Sequence, residues 1–398
     1  MDKALYMKQP KGTEQGGDEV VGKCNLAIYG GKQAGNLWSS ELHTTMAEVG
    51  AARSNGDPNL YLWHHPTNGL IIILVQVDDT VTAAKTTEGV KAGKAVISGK
   101  YKVRDLGKLK EFLGMRIERN RAQRTLFLSS PGHTQALLLK FNMKHANHAK
   151  VPMFNGTALM RGASDALVDP EPYAELVGSL LYLANTTRPD LAYAAGVMAR
   201  YMKDPEVHLW QAAKTVLRYL AGTKMAGLLY GGTDGLEGEV DADFGGCLTT
   251  RRSTTGWVYT LYGATFSCSS KRQATVAAST AEAEYIAATA AAREALWVLK
   301  LMADLDLPYD AVPVLEDNNA CRAMASNPEY TGRAKHIDIA HHLLRERVAT
   351  GDIKLLPVTS VEQPADGLTK PLGSLAFDTF RSRFGMANGI RTGAGQDG

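Results

Sequence analysis

The sequence predicts a mixed α/β protein of more than one domain, and three observations predict it. First, 398 residues exceed what one compact core usually holds, and two or three domains fit the length. Second, the hydrophobic pattern beyond residue 236 reads as three strands, a long helix, a strand, helices, a strand and a helix, an order that suits a mixed sheet with flanking helices and not a sandwich. Third, the glycine-rich stretch at residues 222–238 looks like a seam between two compositions.

The elements follow in order. Residues 70–77 form an apolar run of strand length, Asp78 and Asp79 interrupt it, and β-branched character resumes at residues 80–82. This pattern predicts a hairpin with two carboxylates at its turn. Apolar residues recur at helical spacing over 131–141, 173–201 and 210–220. Past the seam, strands are predicted at 239–242, 254–261 and 264–268, with Tyr262 and Gly263 as a hairpin turn. Ser279, with Glu282 three residues on, forms a capping-box signature for a helix ending at Asp304. A strand at 312–316, helices at 319–325 and 339–348, a strand at 353–358 and a helix from about Pro364 complete the order. The glycine-rich end, residues 381–398 and most clearly from Ala387 on, is predicted to be disordered.

Composition excludes several classes. The apolar run at 70–75 is far too short to span a bilayer, and the first ten residues lack the apolar core of a secretory signal, so an intracellular protein without membrane contact is expected. Cys24, Cys247, Cys268 and Cys321 are scattered with no pair at metal-ligand spacing, which points to free thiols and away from zinc. A net charge of +3 decides nothing about nucleic acid. Locally, residues 101–124 hold eight basic residues against three acids, a patch that suits a phosphate backbone but equally a solvated face, and taken alone the solvated face is the favoured reading.

Four acids occupy similar places in the predicted order: Asp241 at the end of a strand, Glu284 on the long helix, Asp317 where a strand ends, and Asp366 starting the final helix. Hydrolysis of a phosphodiester needs a deprotonated water held in line and a stabilised leaving oxygen. Two divalent ions held by several hard carboxylates supply both. Glu282 is occupied as the partner of the Ser279 cap, so Glu284 is the candidate on that helix. Asp241 and Asp243 point to the same side of a strand; Asp241 is favoured because Asp243 already enters the Phe244-Gly245-Gly246 turn, and the choice stays open at this stage. Asp317 and Asp366 also have a plain reading as helix caps.

At this point the residues become recognisable. Val240-Asp-Ala-Asp-Phe-Gly-Gly246, Arg252-Ser-Thr-Thr-Gly-Trp257, Ser269-Ser-Lys-Arg-Gln273 and Ser279-Thr-Ala-Glu-Ala-Glu-Tyr285 resemble the ribonuclease H domain of copia-type LTR retrotransposon Pol polyproteins. Glu316-Asp-Asn-Asn-Ala320, Lys335-His-Ile-Asp-Ile339 and Gln363-Pro-Ala-Asp-Gly-Leu-Thr-Lys370 continue the match in order and spacing. Upstream, Tyr6-Met-Lys-Gln-Pro10, Ile28-Tyr-Gly-Gly-Lys-Gln-Ala34, Val77-Asp-Asp79, Asp105-Leu-Gly107 with Phe112-Leu-Gly114, and Leu176 to Leu183 with Thr187-Arg-Pro-Asp190 resemble that family's reverse transcriptase and connection.

The resemblance implies a ribonuclease H-like mixed five-stranded sheet with flanking helices over residues 236–380, a mainly helical connection over 151–235, and a partial reverse transcriptase palm and thumb over 1–150. It implies Asp241, Glu284, Asp317 and Asp366 as catalytic acids and as ligands of two Mg²⁺ or Mn²⁺ ions, acting on the RNA strand of an RNA·DNA hybrid. Arg251, Arg252, Lys271 and Arg272 flank that site and are the candidate phosphate contacts. His336 is read as structural. A single-stranded template and other Pol or Gag products are the further partners expected, in a cytoplasmic particle or the nucleus.

The polymerase half departs from the family pattern. The family's first catalytic aspartate lies upstream of the Tyr6-Met-Lys-Gln-Pro10 segment, Gln76 replaces an aromatic residue, and Gly31 and Gly35 replace Leu and Pro. Asp78 and Asp79 are therefore expected to be a polymerase remnant, with apolar surface around residues 71–75 left unburied by the missing part. Two competing expectations are a decayed or co-opted fragment that binds nucleic acid or a partner without catalysis, and a reverse transcriptase active only with the upstream part supplied.

Overall fold

A computed structural model describes residues 5–12, 15–16, 20–25, 27–28, 30–154, 166–232, 235–327, 338–359 and 363–390. The chain divides into two compact units, Met1–Gly107 with Lys300–Pro308, and Lys108–Leu299 with Tyr309–Gly398. The division falls at Gly107 and not at the predicted seams near residues 150 and 235, for a reason visible in the second unit's sheets.

In the first unit β1 (Leu5–Lys8) and β2 (Val21–Cys24) form an antiparallel ribbon, followed by α1 (Ala34–Glu48). Strands β3 (Ala52–Arg53), β4 (Leu60–His65), β5 (Gly69–Gln76) and β6 (Asp79–Ala84) pair in sequence order as an antiparallel sheet, and α2 (Thr87–Lys100) follows, capped by the Thr86 side chain. Burial along β5 alternates, so that Ile71, Ile73 and Val75 pack into one core with Leu42 and Met46 of α1, Tyr61 of β4 and Ile97 of α2. The expectation of unburied apolar surface around residues 71–75 is thereby corrected for Ile71, Ile73 and Val75, while Ile72 and Leu74 on the opposite face stay half-buried. The two helices of the same unit supply residues that cover the Ile71 face of the sheet, each fully buried side chain contributing roughly 1.5–3 kcal/mol.

The second unit opens with β7 (Glu111–Phe112), β8 (Met115–Asn120) and β9 (Thr125–Ser129), then the helices α3 (Pro131–Lys140), α4 (Pro170–Thr186), α5 (Ala192–Ala199) and α6 (Val207–Gly222). The periodicity over 173–201 predicted one helical run. It breaks at Thr187, because Pro189 lacks an N–H and disfavours helical backbone in Arg188 before it. A short 3-10 turn, Pro189–Leu191, fills the break. Here Arg188 and Asp190 form a buried two-pronged ion pair at 2.8 and 3.0 Å, with Tyr219 of α6 donating to the same carboxylate and Arg188 donating to the Thr223 carbonyl at 2.9 Å. Satisfied on both sides, this pair fixes the corner between α4, α5 and α6.

Strand β10 (Gly227–Tyr230) lies inside the glycine-rich stretch that was read as a seam. It pairs with β9 on one side and with β16 (Met386–Ala387) on the other, in an antiparallel sheet of order β16-β10-β9-β8-β7. Gly227 permits the close approach, since a Cβ there would stand 2.1 Å from the Leu128 carbonyl oxygen. The predicted disorder over 381–398 is corrected to the same extent: Arg381 to Arg383 end a helix and Met386 and Ala387 complete a sheet, while residues 391–398 lie outside the described residues.

The remaining elements are β11 (Glu237–Ala242), β12 (Thr254–Leu261), β13 (Ala264–Arg272), α7 (Thr280–Asp304), β14 (Val312–Glu316), α8 (Asn319–Ser326), α9 (Asp338–Ala349), β15 (Ile353–Pro357) and α10 (Ser374–Arg383). The sheet runs β13-β12-β11-β14-β15, antiparallel from β13 to β11 and parallel from β11 through β14 to β15. The final helix was predicted from Pro364, but Pro364–Leu368 is a 3-10 turn and α10 begins ten residues later. Lys370 precedes Pro371 and is thus steered out of the helical region. Val258, Leu368, Phe377, Phe380 and Phe384 belong to the same hydrophobic core as the buried faces of α3 to α6, so the helical segment and this sheet are one packed body.

Candidate metal centre

Three local devices bring acids together at one end of the β13-β12-β11-β14-β15 sheet. Asp241 is the penultimate residue of β11 and is buried. Glu284 sits in the second turn of α7, where Glu282 donates its N–H to Ser279 Oγ at 3.2 Å and its carboxylate accepts from the Ala278 N–H at 2.8 Å. That exchange employs Glu282 at the helix start, its carboxylate reaching the N–H one residue before the Ser279 of the predicted capping box, and leaves Glu284 to the interior. Asp317 follows β14; the cap of α8 is Asn318, whose side chain accepts from the Cys321 N–H at 2.9 Å, so Asp317 is not the cap. One carboxylate oxygen each of Asp241, Glu284 and Asp317 lies within 4.8 Å of the others.

Asp366 is placed nearby but differently. It lies in the 3-10 turn, which is capped by Gln363, and its Oδ1 is 2.8 Å from Lys370 Nζ. Its charge helps to raise the pKa of Asp241, yet it stands outside the group of three. Asp243 is taken up by the β11–β12 loop, where it accepts from the Thr254 N–H. Of the two aspartates left open by the sequence, Asp241 therefore stands with Glu284 and Asp317.

Burial is the first cause that pushes the Asp241 and Glu284 carboxyls well above the ordinary range; neighbouring negative charge adds to it, from Asp366 and Asp317 on Asp241, and from Glu316, Asp241 and Asp317 on Glu284. Glu284 Oε2 is buried and has no hydrogen-bond partner. A site that holds several carboxylates in low dielectric, one oxygen unpartnered, is built to receive positive charge, and an all-oxygen donor set suits a hard divalent cation.

Sequence reasoning missed several residues that build this place. Glu316 is wholly buried behind Asp317, accepts from the Asn318 N–H at 2.9 Å, and is the largest charge acting on Glu284. Thr369 donates to Asp241 Oδ2, and Gln363 Nε2 donates to the Val240 carbonyl at 2.9 Å, tying the turn that carries Asp366 to β11. Gln273 ties the end of β13 to α7 through the Ala283 carbonyl at 2.9 Å. Each lay inside a motif already singled out, but only its contacts in the fold give it a task.

The basic candidates share this end of the sheet, since Lys271 pairs with Thr255, which pairs with Ala242 next to Asp241. Arg251 and Lys271 are exposed, Arg252 is half-buried, and Arg272 turns its guanidinium to Cys247 Sγ at 3.6 Å. In the other unit Gln76 pairs with Asp79, so Val77 and Asp78 form the turn between β5 and β6. Asp78 and Asp79 are exposed, and Trp38 Nε1 donates to the Val77 carbonyl at 2.8 Å. His336 lies outside the described residues. No helix among the described residues is long and apolar enough to cross a membrane.

The architecture is thus a mixed α/β one with a largely buried carboxylate cluster at one end of the two inner strands β11 and β14, a donor set that suits a hard divalent cation. Residues 1–155 match the family of reverse transcriptases (RNA-dependent DNA polymerases), which generally use divalent metals. The chain is 35% identical over 394 residues to the retrovirus-related Pol polyprotein from transposon TNT 1-94 of Nicotiana tabacum, covering 97% of this chain and 30% of the relative. It is 36% identical to the corresponding polyprotein from transposon RE2 of Arabidopsis thaliana, covering 96% of this chain and 26% of the relative. A transposon Ty5-1 protein of Saccharomyces cerevisiae is 32% identical over 73% of this chain and 94% of its own length. The chain belongs to the copia-type retrotransposon Pol polyprotein family and spans about a third or less of the two plant polyproteins.

Proposed function

We propose that the second unit is a ribonuclease H that hydrolyses the RNA strand of RNA·DNA hybrids with two Mg²⁺ or Mn²⁺ ions, held by Asp241, Glu284, Asp317 and Asp366. The convergence of Asp241, Glu284 and Asp317 within 4.8 Å, three acids from a strand, a helix and a strand end, is the observation that carries this reading. The order β13-β12-β11-β14-β15, with three antiparallel strands followed by two parallel ones, supports a ribonuclease H-like fold. Bound divalent cations would supply Lewis-acid stabilisation of the phosphate charge and a more acidic water.

The chain's own residues do the rest. Asp241 and Glu284, both buried, would hold the cations, and Thr369, which donates to Asp241 Oδ2, orients the Asp241 carboxyl. Arg251, Arg252 and Lys271, at the same end of the sheet, meet backbone phosphates, with Arg272 in the second row beside Cys247. Choice of the RNA strand rests on contacts to its 2′-hydroxyls, which the DNA strand lacks.

The test is cleavage of an end-labelled RNA·DNA hybrid by the full chain in Mg²⁺ and in EDTA, with Asp317→Asn alongside. Metal-dependent cleavage is expected, reduced on the order of a hundredfold or more in the variant. A folded chain that binds the hybrid without cutting it would instead make this a nucleic-acid-binding member of the family.

The match of residues 1–155 to reverse transcriptases supports a second reading, in which the exposed Asp78 and Asp79 at the β5–β6 turn belong to a polymerase centre. Primer extension on an RNA template, lost in Asp78→Asn, tests it.

A further inference from the structure

We infer that Lys370 is a tethered cation of the acidic centre: it holds Asp366 while no divalent ion is bound and must leave Asp366 for an ion to bind there. The inference rests on the metal-site reading above and concerns a residue that reading leaves without a role.

The local backbone explains why Lys370 points where it does. The N–H groups of Thr369 and Lys370 both bond to the Asp366 carbonyl, at 3.1 and 3.0 Å, closing a tight turn before Pro371. Two adjacent side chains are thereby aimed back at two different acids. Thr369 donates to Asp241, and Lys370 Nζ stands 2.8 Å from Asp366 Oδ1. An isolated i,i+4 pair on a surface has little consequence. This one differs in its surroundings, because the group of Asp241, Glu284 and Asp317 lies beside it, near enough for Asp366 to act on Asp241 and for Asp241 and Asp317 to act on the Lys370 ammonium. A single positive charge there offsets repulsion among carboxylates that would otherwise push the turn away from β11.

The two partners also differ in exposure. Asp366 is 22% exposed and anchored by the turn, whereas the Lys370 side chain is 51% exposed on a flexible stem. A hard ion approaching Asp366 competes with Nζ for the same oxygen, and the lysine has solvent to retreat into. Lys370 is a positioning residue in this account: it keeps the empty centre assembled and sets how tightly the centre takes its ions.

The experiment is a calorimetric Mn²⁺ titration of the full chain and of Lys370→Met, Lys370→Arg and Asp317→Asn, with thermal melting of each in EDTA. Lys370→Met is expected to bind Mn²⁺ on the order of tenfold more tightly and to melt earlier in EDTA. Lys370→Arg, which keeps the charge, is expected to melt in EDTA as the parent does. A purely structural lysine would weaken metal binding when removed, so unchanged or weaker Mn²⁺ binding by Lys370→Met, with binding lost in Asp317→Asn, overturns this inference alone. A parent chain that binds no Mn²⁺, or an Asp317→Asn variant that binds it as well as the parent does, overturns the metal-site reading and this inference with it.

Discussion

The Thr369 hydroxyl donates a hydrogen bond to Asp241 Oδ2, so two residues 128 positions apart in the sequence set the orientation of one carboxylate. Both are buried, and the bond is to a group that carries charge once a cation is bound. Thr369→Val keeps the shape and removes the donor. It is expected to weaken Mn²⁺ binding and, with Mn²⁺ present, to cost about 1.5–3 kcal/mol, the usual worth of a hydrogen bond to a charged group. Calorimetric titration and denaturant unfolding measure the two effects, and an unchanged Mn²⁺ affinity would show that Thr369 does not orient Asp241.

Gly256 stands opposite Asp241 in the β11–β12 ladder. A Cβ built there would lie 2.7 Å from Leu368 Cβ and 2.8 Å from Thr369 Cγ2. In an ordinary strand, replacing glycine by alanine stabilises by roughly 0.5–1 kcal/mol. Here the sign reverses. Gly256→Ala is expected to destabilise by about 1–3 kcal/mol through overpacking, and to weaken Mn²⁺ binding by pushing the 364–368 turn off the sheet. A stabilised variant with normal metal binding would mean that the turn yields without consequence for the centre.

Glu239, one turn of the pleat before Asp241, is pushed up to about 8, first by burial and then by Glu237, with Arg383 opposing, and its Oε2 has no hydrogen-bond partner. A raised carboxyl pKa means that the folded chain binds the proton more tightly than the unfolded one. Stability is then intact below the ordinary glutamate range, falls as pH rises from there to about 8, and is level beyond it. Glu239→Gln removes that proton, so the variant is expected to gain on the parent by roughly 2–4 kcal/mol between pH 4 and pH 9. Unfolding in urea at a series of pH values in EDTA gives the slope, which is independent of any constant cost of the amide. Parallel stability curves would show that Glu239 ionises freely in the folded chain.

How much of this was legible beforehand varies by residue. The strands carrying Asp241 and preceding Asp317, the helix carrying Glu284, and the capping exchange of Ser279 and Glu282 were all readable, because period, β-branching and caps act over a few residues. The corner at Arg188 was hidden inside a continuous helical period, although Pro189 marked it. The glycines at 227, 231 and 232 read as a seam because a missing side chain signals a turn and a close strand contact alike.

What the sequence by itself determined is the set of local elements, the residue types able to hold a hard cation, and the family to which they belong. What only the tertiary structure decided is which of those residues meet. It set Asp241 and not Asp243 beside Glu284 and Asp317, buried Glu316 behind them, paired Asp366 with Lys370, and joined the helical segment to the acidic sheet in one core. The physical reason is range. Propensity, capping and period are interactions between near neighbours in the chain, whereas the charge and burial of a carboxylate depend on side chains brought to it from a hundred residues away.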